Sequence, residues 1–126
     1  MTLLQTHNID FRILDKPDIP IRKVAPGEII IGEGGIAHEM FLVRKGRAEI
    51  RVKDQLLEEV GPGGIFGEMA LIDQSTRSAS VVAVEYSEII PISERLFLNL
   101  LHDAPYFALD VMHTLVRRLK AMDERL

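Results

Sequence analysis

The chain has 126 residues, 47% of them hydrophobic and 27% charged, with a formal net charge of −4. That length makes one domain, large enough to bury roughly two-thirds of its unfolded surface, and the balance of apolar and charged residues excludes a disordered chain. The acidic balance speaks against a nucleic-acid-binding face, the absence of cysteine removes disulfides and thiolate chemistry, and no run nears the ~20 apolar residues of a membrane span.

Met1-Thr2-Leu3-Leu4 gives way at once to polar His7, Asn8 and Asp10, too short an apolar run for a signal peptide. A soluble, cytoplasmic domain is the expectation. Pro17 and Pro20 rule out a continuous helix over Asp15 to Pro20, so residues 1–20 read as an extended arm before a domain spanning 21–126. From Ile21, short apolar runs alternate with glycine signals at Pro26-Gly27, Gly32 to Gly35, Lys45-Gly46 and Gly61 to Gly64. Strands at that spacing predict a mainly β sandwich or barrel over about 21–92. Ala48, Ile50 and Val52 alternate with Glu49, Arg51 and Lys53, a strand with one buried and one wet face. Further strands are expected over Ser78 to Val84 and Ile89 to Ile92, with a short turn at Asp54-Gln55.

Two helices close the chain. Ser93 reads as the N-cap of a helix over 94–101, and Asp103 as the N-cap of a second over 104–124, with Pro105 in its first turn. Ala108, Met112, Leu115, Leu119, Met122 and Leu126 follow heptad spacing. Fewer than three heptads favours packing of this seam on the barrel over a coiled coil. Arg117, Arg118 and Lys120 then fall to the polar face, as cations suited to a helix C-terminus.

The chemistry concentrates between Phe66 and Ser80. Gly67 lets the backbone approach a ligand closely, and a helical turn over Glu68 to Leu71, kept open by small Ala70, would offer the free N–H groups of Met69 and Ala70 to an anion. Arg77 supplies a planar fork for two phosphate oxygens, and Ser78 a hydroxyl and an N–H. Glu68 repels phosphate but accepts from a nearby hydroxyl. Together these groups describe a site for a phosphate fused to a ribose. Singly, each has a plainer reading: Glu68 as a carboxylate at a helix start, Arg77 as a solvated charge, and Ser78 to Ser80 as strand alternation.

Phe66-Gly67-Glu68-Met69-Ala70-Leu71-Ile72 followed by Thr76-Arg77-Ser78-Ala79-Ser80-Val81 resembles the phosphate-binding cassette of the cyclic nucleotide-binding domain family. The likeness extends through Ala25 to Ile30, Gly34, Met40 to Val43, Lys45-Gly46 and Gly61 to Gly63, and covers about residues 21 to 124. It implies a jelly-roll-like β-roll (a double-stranded β-helix) with flanking C-terminal helices. Gly67 and Glu68 would hold the ribose 2′-hydroxyl, Met69 and Ala70 the phosphate, with Arg77 on the exocyclic oxygens and Ser78 beside it. Ile50 and Leu57 become candidates for the wall against the base, with Glu58 near the base edge. The plainer reading of Glu58, an exposed carboxylate on a strand edge, carries more weight. Serine at position 78 leans towards cAMP over cGMP by family association. The last helix is the lid, and the family's longer lids carry base contacts beyond the point where this chain ends.

The resemblance implies a non-catalytic regulatory module with no cofactor besides its cyclic nucleotide. Its partner is expected to be a protein effector or a second copy joined through the last helix. Three rivals remain. A catabolite-activator-like transcription regulator needs a helix-turn-helix after the long helix, so it requires this chain to be a fragment. A metal-dependent β-barrel enzyme needs clustered ligands, whereas His7, His38, His102 and His113 are scattered and no nucleophile–base motif occurs. A relative in fold alone would serve as an interaction scaffold. Gly32 to Ala37 satisfies a dinucleotide-binding pattern formally, but a strand follows it where a helix is required.

Overall fold

The computed structural model describes residues 11–14, 16–32, 38–68 and 79–125. A 3-10 turn at Phe11–Leu14 precedes β1 (Arg22–Val24), β2 (Ile29–Ile31), β3 (Glu39–Lys45), β4 (Ala48–Val52), β5 (Gln55–Val60), β6 (Ile65–Phe66), β7 (Ser80–Ala83) and β8 (Ser87–Ser93). Helices α1 (Glu94–Asp103) and α2 (Pro105–Arg125) follow. The strands form two antiparallel sheets, ordered β1-β8-β3-β6 and β2-β7-β4-β5. This is the jelly-roll-like, mainly β architecture with C-terminal helices that the sequence predicts.

Strands β3 and β8 read as unbroken apolar runs because both faces are covered. Phe41, Val43 and Ile89 point into the roll with Val24, Ala48, Val60, Phe66, Val81 and Ala83. Met40, Leu42, Ile90 and Ile92 point the other way, onto Leu14, Leu100, Phe107 and Val111. One sheet thus divides two cores. The second sheet is wet outside, so β4 keeps the alternation read from its sequence: Ala48 and Ile50 face inward, while Arg51 Nε donates to Glu49 Oε1 on the outside at 3.0 Å.

Two turns set the register that the site depends on. Lys53 and Asp54 take φ of 50° and 65°, the two-residue hairpin geometry that matches strand twist. The turn therefore sits one residue earlier than Asp54-Gln55, and Gln55 joins β5 opposite Val52. Further along, Ile50 pairs with Glu58 but Arg51 with Leu56, leaving Leu57 as the extra residue of a β-bulge. At Gly61-Pro62-Gly63-Gly64, Pro62 takes the position that favours its fixed φ, and Gly63 takes the following one at +85°. Gly64 N–H donates to the Gly61 carbonyl at 2.9 Å, and the turn docks on both sides of Val43. It delivers β6 to the edge of β3.

Ser93 caps α1 as predicted, its hydroxyl accepting from Leu96 N–H at 3.2 Å. Asp103 is not a cap: it is the last residue of α1, with its carboxylate on His102 Nδ1 at 3.0 Å. Pro105 opens α2, where its missing N–H costs nothing. Leu115 packs on the core as the heptad reading expects, but the fully buried seam of α2 lies one position earlier than that reading placed it. Phe107, Val111 and Thr114 are the buried residues, whereas Met112 and Leu119 are 52% and 61% exposed; Met122 and Leu126 lie outside the described side chains. The physical reason is that α2 carries two apolar stripes. Phe107 wins the inward place by an edge-on contact with Phe97, centroids 5.5 Å apart. Thr114 tolerates burial because its hydroxyl donates to the Asp110 carbonyl at 3.1 Å. No helix among the described residues is long and apolar enough to cross a membrane.

Candidate functional site

Phe66, stacked on Phe41 with centroids 5.3 Å apart, anchors the end of β6. Gly67 follows at φ +76°, a turn that a β-carbon would resist, and it swings Glu68 inward. Glu68 is 7% exposed, a carboxylate buried at the mouth of the roll. Across the second sheet, pairing aligns Ile31, Val81, Ile50 and Glu58 in one row. Ile31, Val81 and Ile50 pack into the core, so Glu58 is the charged end of an otherwise apolar row.

Arg118, from the inward face of α2, joins the two carboxylates. Its Nη1 donates to Glu68 Oε1 at 2.7 Å. Its Nε and Nη2 grip Glu58 at 3.0 and 3.3 Å, a two-point fork. Nη2 also donates to the Ile65 carbonyl. Arg117 Nη2 adds a bond to Glu58 Oε2 at 2.9 Å from the solvent side. Burial works to raise the Glu58 carboxyl pKa, but the bonds and charges of Arg118 and then Arg117 outweigh it and hold the group below its ordinary value. Burial likewise disfavours the Arg118 charge, and Glu68 followed by Glu58 more than offset it, raising its pKa.

The predicted residues sort as follows. Gly67 and Glu68 sit together at the mouth of the roll. Ile50 shares the concave row with Glu58, and Leu57 is the half-buried bulge residue beside it. Met69, Ala70, Arg77 and Ser78 lie outside the described residues, as do residues 33–37. The reading of Glu58 as an exposed strand-edge carboxylate is corrected. β5 is an edge strand, yet Glu58 points to the concave face, where its side chain is 20% exposed beneath the arginines. Arg118 likewise leaves the polar face to which the sequence assigned it. Its position four residues beyond Thr114 and seven beyond Val111 was the available signal, since helical spacing puts it on their face. No group of three or more metal-ligating side chains occurs among the described residues.

The described residues thus bring together a buried carboxylate, an apolar row ending in a second carboxylate, and a helix fastened to both carboxylates by Arg118. The family model described as the cyclic nucleotide-binding domain matches residues 21–104. The chain is 34% identical over 108 residues to the cyclic AMP receptor protein of Thermus thermophilus, which covers 81% of the chain and 50% of that relative. It is 32% identical over 80 residues to a cAMP-dependent protein kinase regulatory subunit of Hypocrea atroviridis, covering 64% of the chain and 17% of the relative. The solved structure of the Thermus thermophilus catabolite activator protein superposes with a TM-score of 0.75 at 32% identity, over 85% of this chain and 53% of that one. The chain spans half or less of the length of these curated relatives.

Proposed function

Because the chain belongs to the cyclic nucleotide-binding domain family, we propose that it is a non-catalytic regulatory module for a 3′,5′-cyclic mononucleotide, with cAMP preferred over cGMP. The observation that carries the reading is Glu68, a carboxylate buried directly after Gly67 at the mouth of the roll. A buried carboxylate acceptor suits a ribose 2′-hydroxyl. Gly67 and Glu68 hold the ribose, and Met69, Ala70, Arg77 and Ser78 hold the phosphate. Ile50 and Leu57, with Glu58 at their edge, border the base. Serine at position 78 is the ground for preferring cAMP.

Output passes through α2. Arg118 binds Glu68 directly, so a ligand that takes up Glu68 changes what holds the helix. The partner is a second copy of this chain. The outer stripe of Leu109, Met112, Val116 and Leu119, 47–61% exposed, repeats at steps of three and four and suits a helix pairing with its own copy. A second reading makes the same module one part of a transcription regulator, supported by the match to half of the Thermus thermophilus receptor. The intact mass of the native gene product separates the two.

Calorimetric titration of cAMP and cGMP side by side tests the proposal. Binding of cAMP at micromolar or tighter concentration is expected, with weaker cGMP binding. Arg77→Ala removes a charge-assisted contact worth about 2–3 kcal/mol, so affinity should fall roughly 30- to 150-fold with the fold intact. Absence of binding to either nucleotide overturns the proposal and leaves the interaction scaffold.

A further inference from the structure

Glu58 has a place in the site that a base-edge carboxylate does not explain. Three N–H groups already converge on it: Arg118 Nε on Oε1, and Arg118 Nη2 and Arg117 Nη2 on Oε2. A carboxylate offers about four acceptor positions, so little of Glu58 remains for a ligand. The Arg118 side chain is only 16% exposed. A guanidinium that buried is costly unless its charge is matched. Here two carboxylates match it: Glu58 through a fork, Glu68 through a single bond.

The two contacts are unequal in kind. The fork to Glu58 fixes both the position and the plane of the guanidinium. The bond to Glu68 is one N–H on one oxygen, and it can be exchanged for another donor. We infer that Glu58 is a positioning residue for ligand binding: it keeps Arg118 matched and α2 seated, so that Glu68 can turn to a ligand hydroxyl without stranding a buried cation. This rests on the reading of Glu68 as the ribose acceptor. Without the Glu58 charge, Arg118 has Glu68 as its remaining carboxylate among the described residues, and the hydroxyl must compete with a full ion pair.

The test is Glu58→Gln, which keeps the side-chain size and removes the charge. Calorimetry would compare cAMP with 2′-deoxy-cAMP, a probe that makes no demand on the Glu68 acceptor. Affinity for cAMP should fall about tenfold, while affinity for the deoxy probe changes less than about twofold. Arg117→Gln leaves the fork in place and should change neither by more than about twofold. Amide exchange on the ligand-free chain supplies a second readout, with faster exchange expected in α2 from Met112 onward in Glu58→Gln. Equal weakening for both probes means that Glu58 supports the fold alone, and overturns the inference. So does an unchanged cAMP affinity in a variant whose wild-type parent binds. A wild-type chain that binds neither nucleotide instead sinks the functional reading beneath it.

Discussion

Arg118 Nη1 meets Glu68 Oε1 at 2.7 Å, closing a gap of 50 residues in the chain and fastening α2 to the end of β6. Neither residue is stable in its surroundings alone. Removing the guanidinium leaves Glu68 buried without its cation and strips the fork from Glu58. Arg118→Met should cost about 2–3 kcal/mol of stability, less than a fully buried pair because the cluster keeps some solvent. Urea unfolding measures it. Arg118→Lys should recover less than half, since an ammonium does not fork.

Acid should act through Glu58. Its folded pKa is depressed, so the stability it contributes is complete above its unfolded pKa and drains away as pH falls through the folded value. Urea midpoints between about pH 6 and pH 3 should therefore fall more steeply for the wild type than for Glu58→Gln. Parallel slopes would show that the pair adds no pH-dependent stability.

Gly46 takes φ +94°, and a β-carbon there would collide with the Ser87 side chain and the Tyr86 carbonyl. Ser87 cannot retreat, because its hydroxyl bonds to the Glu85 carbonyl and to the backbone of Arg47. Gly46→Ala should cost about 2–4 kcal/mol, combining left-handed strain and overpacking. A thermal melt within a degree of wild type would contradict this.

The hairpin between β4 and β5 offers the opposite sign. Asp54 sits at φ +65°, where glycine carries no steric penalty. The Arg51 bond at this turn goes to the Asp54 backbone carbonyl, so it survives substitution. Asp54→Gly should raise stability by about 0.5–1 kcal/mol, seen as a melting temperature a few degrees higher.

Self-association should depend on the outer stripe of α2. Sedimentation velocity of the wild type should show a concentration-dependent dimer, and Val116→Glu should give monomer at every concentration. Val116 is 50% exposed, so the change leaves the inner seam of Phe107 and Val111 untouched. A wild type that stays monomeric removes the second copy as partner.

Much of this molecule is legible from residue order because its signals are local. Glycine turns delimit β4 and β5, alternation marks the wet face of β4, and Ser93 announces α1. The face of α2 was not legible, since two apolar stripes compete and a ring 10 residues away in sequence, Phe97, decides between them. Arg118 was hidden for a related reason. Its helical spacing from Val111 and Thr114 marks its face, but burying it requires Glu58 and Glu68, 60 and 50 residues distant, which that spacing does not identify. The inward turn of Glu58 depended on the register of one hairpin and one bulge.

Strand β8 runs into α1 without a spacer: Ser93 ends the strand and caps the helix. At the far end, Ala104 alone separates α1 from α2, its N–H on the Leu100 carbonyl at 2.8 Å and its carbonyl on Phe107 N–H at 2.9 Å. The roll therefore passes into α1 with no spacer, and α1 passes into α2 through one residue. If ligand binding reorients α2 as proposed, Ala104 is the one residue between the helices at which the turn can be taken up, so a small change there would carry the far end of α2 a long way.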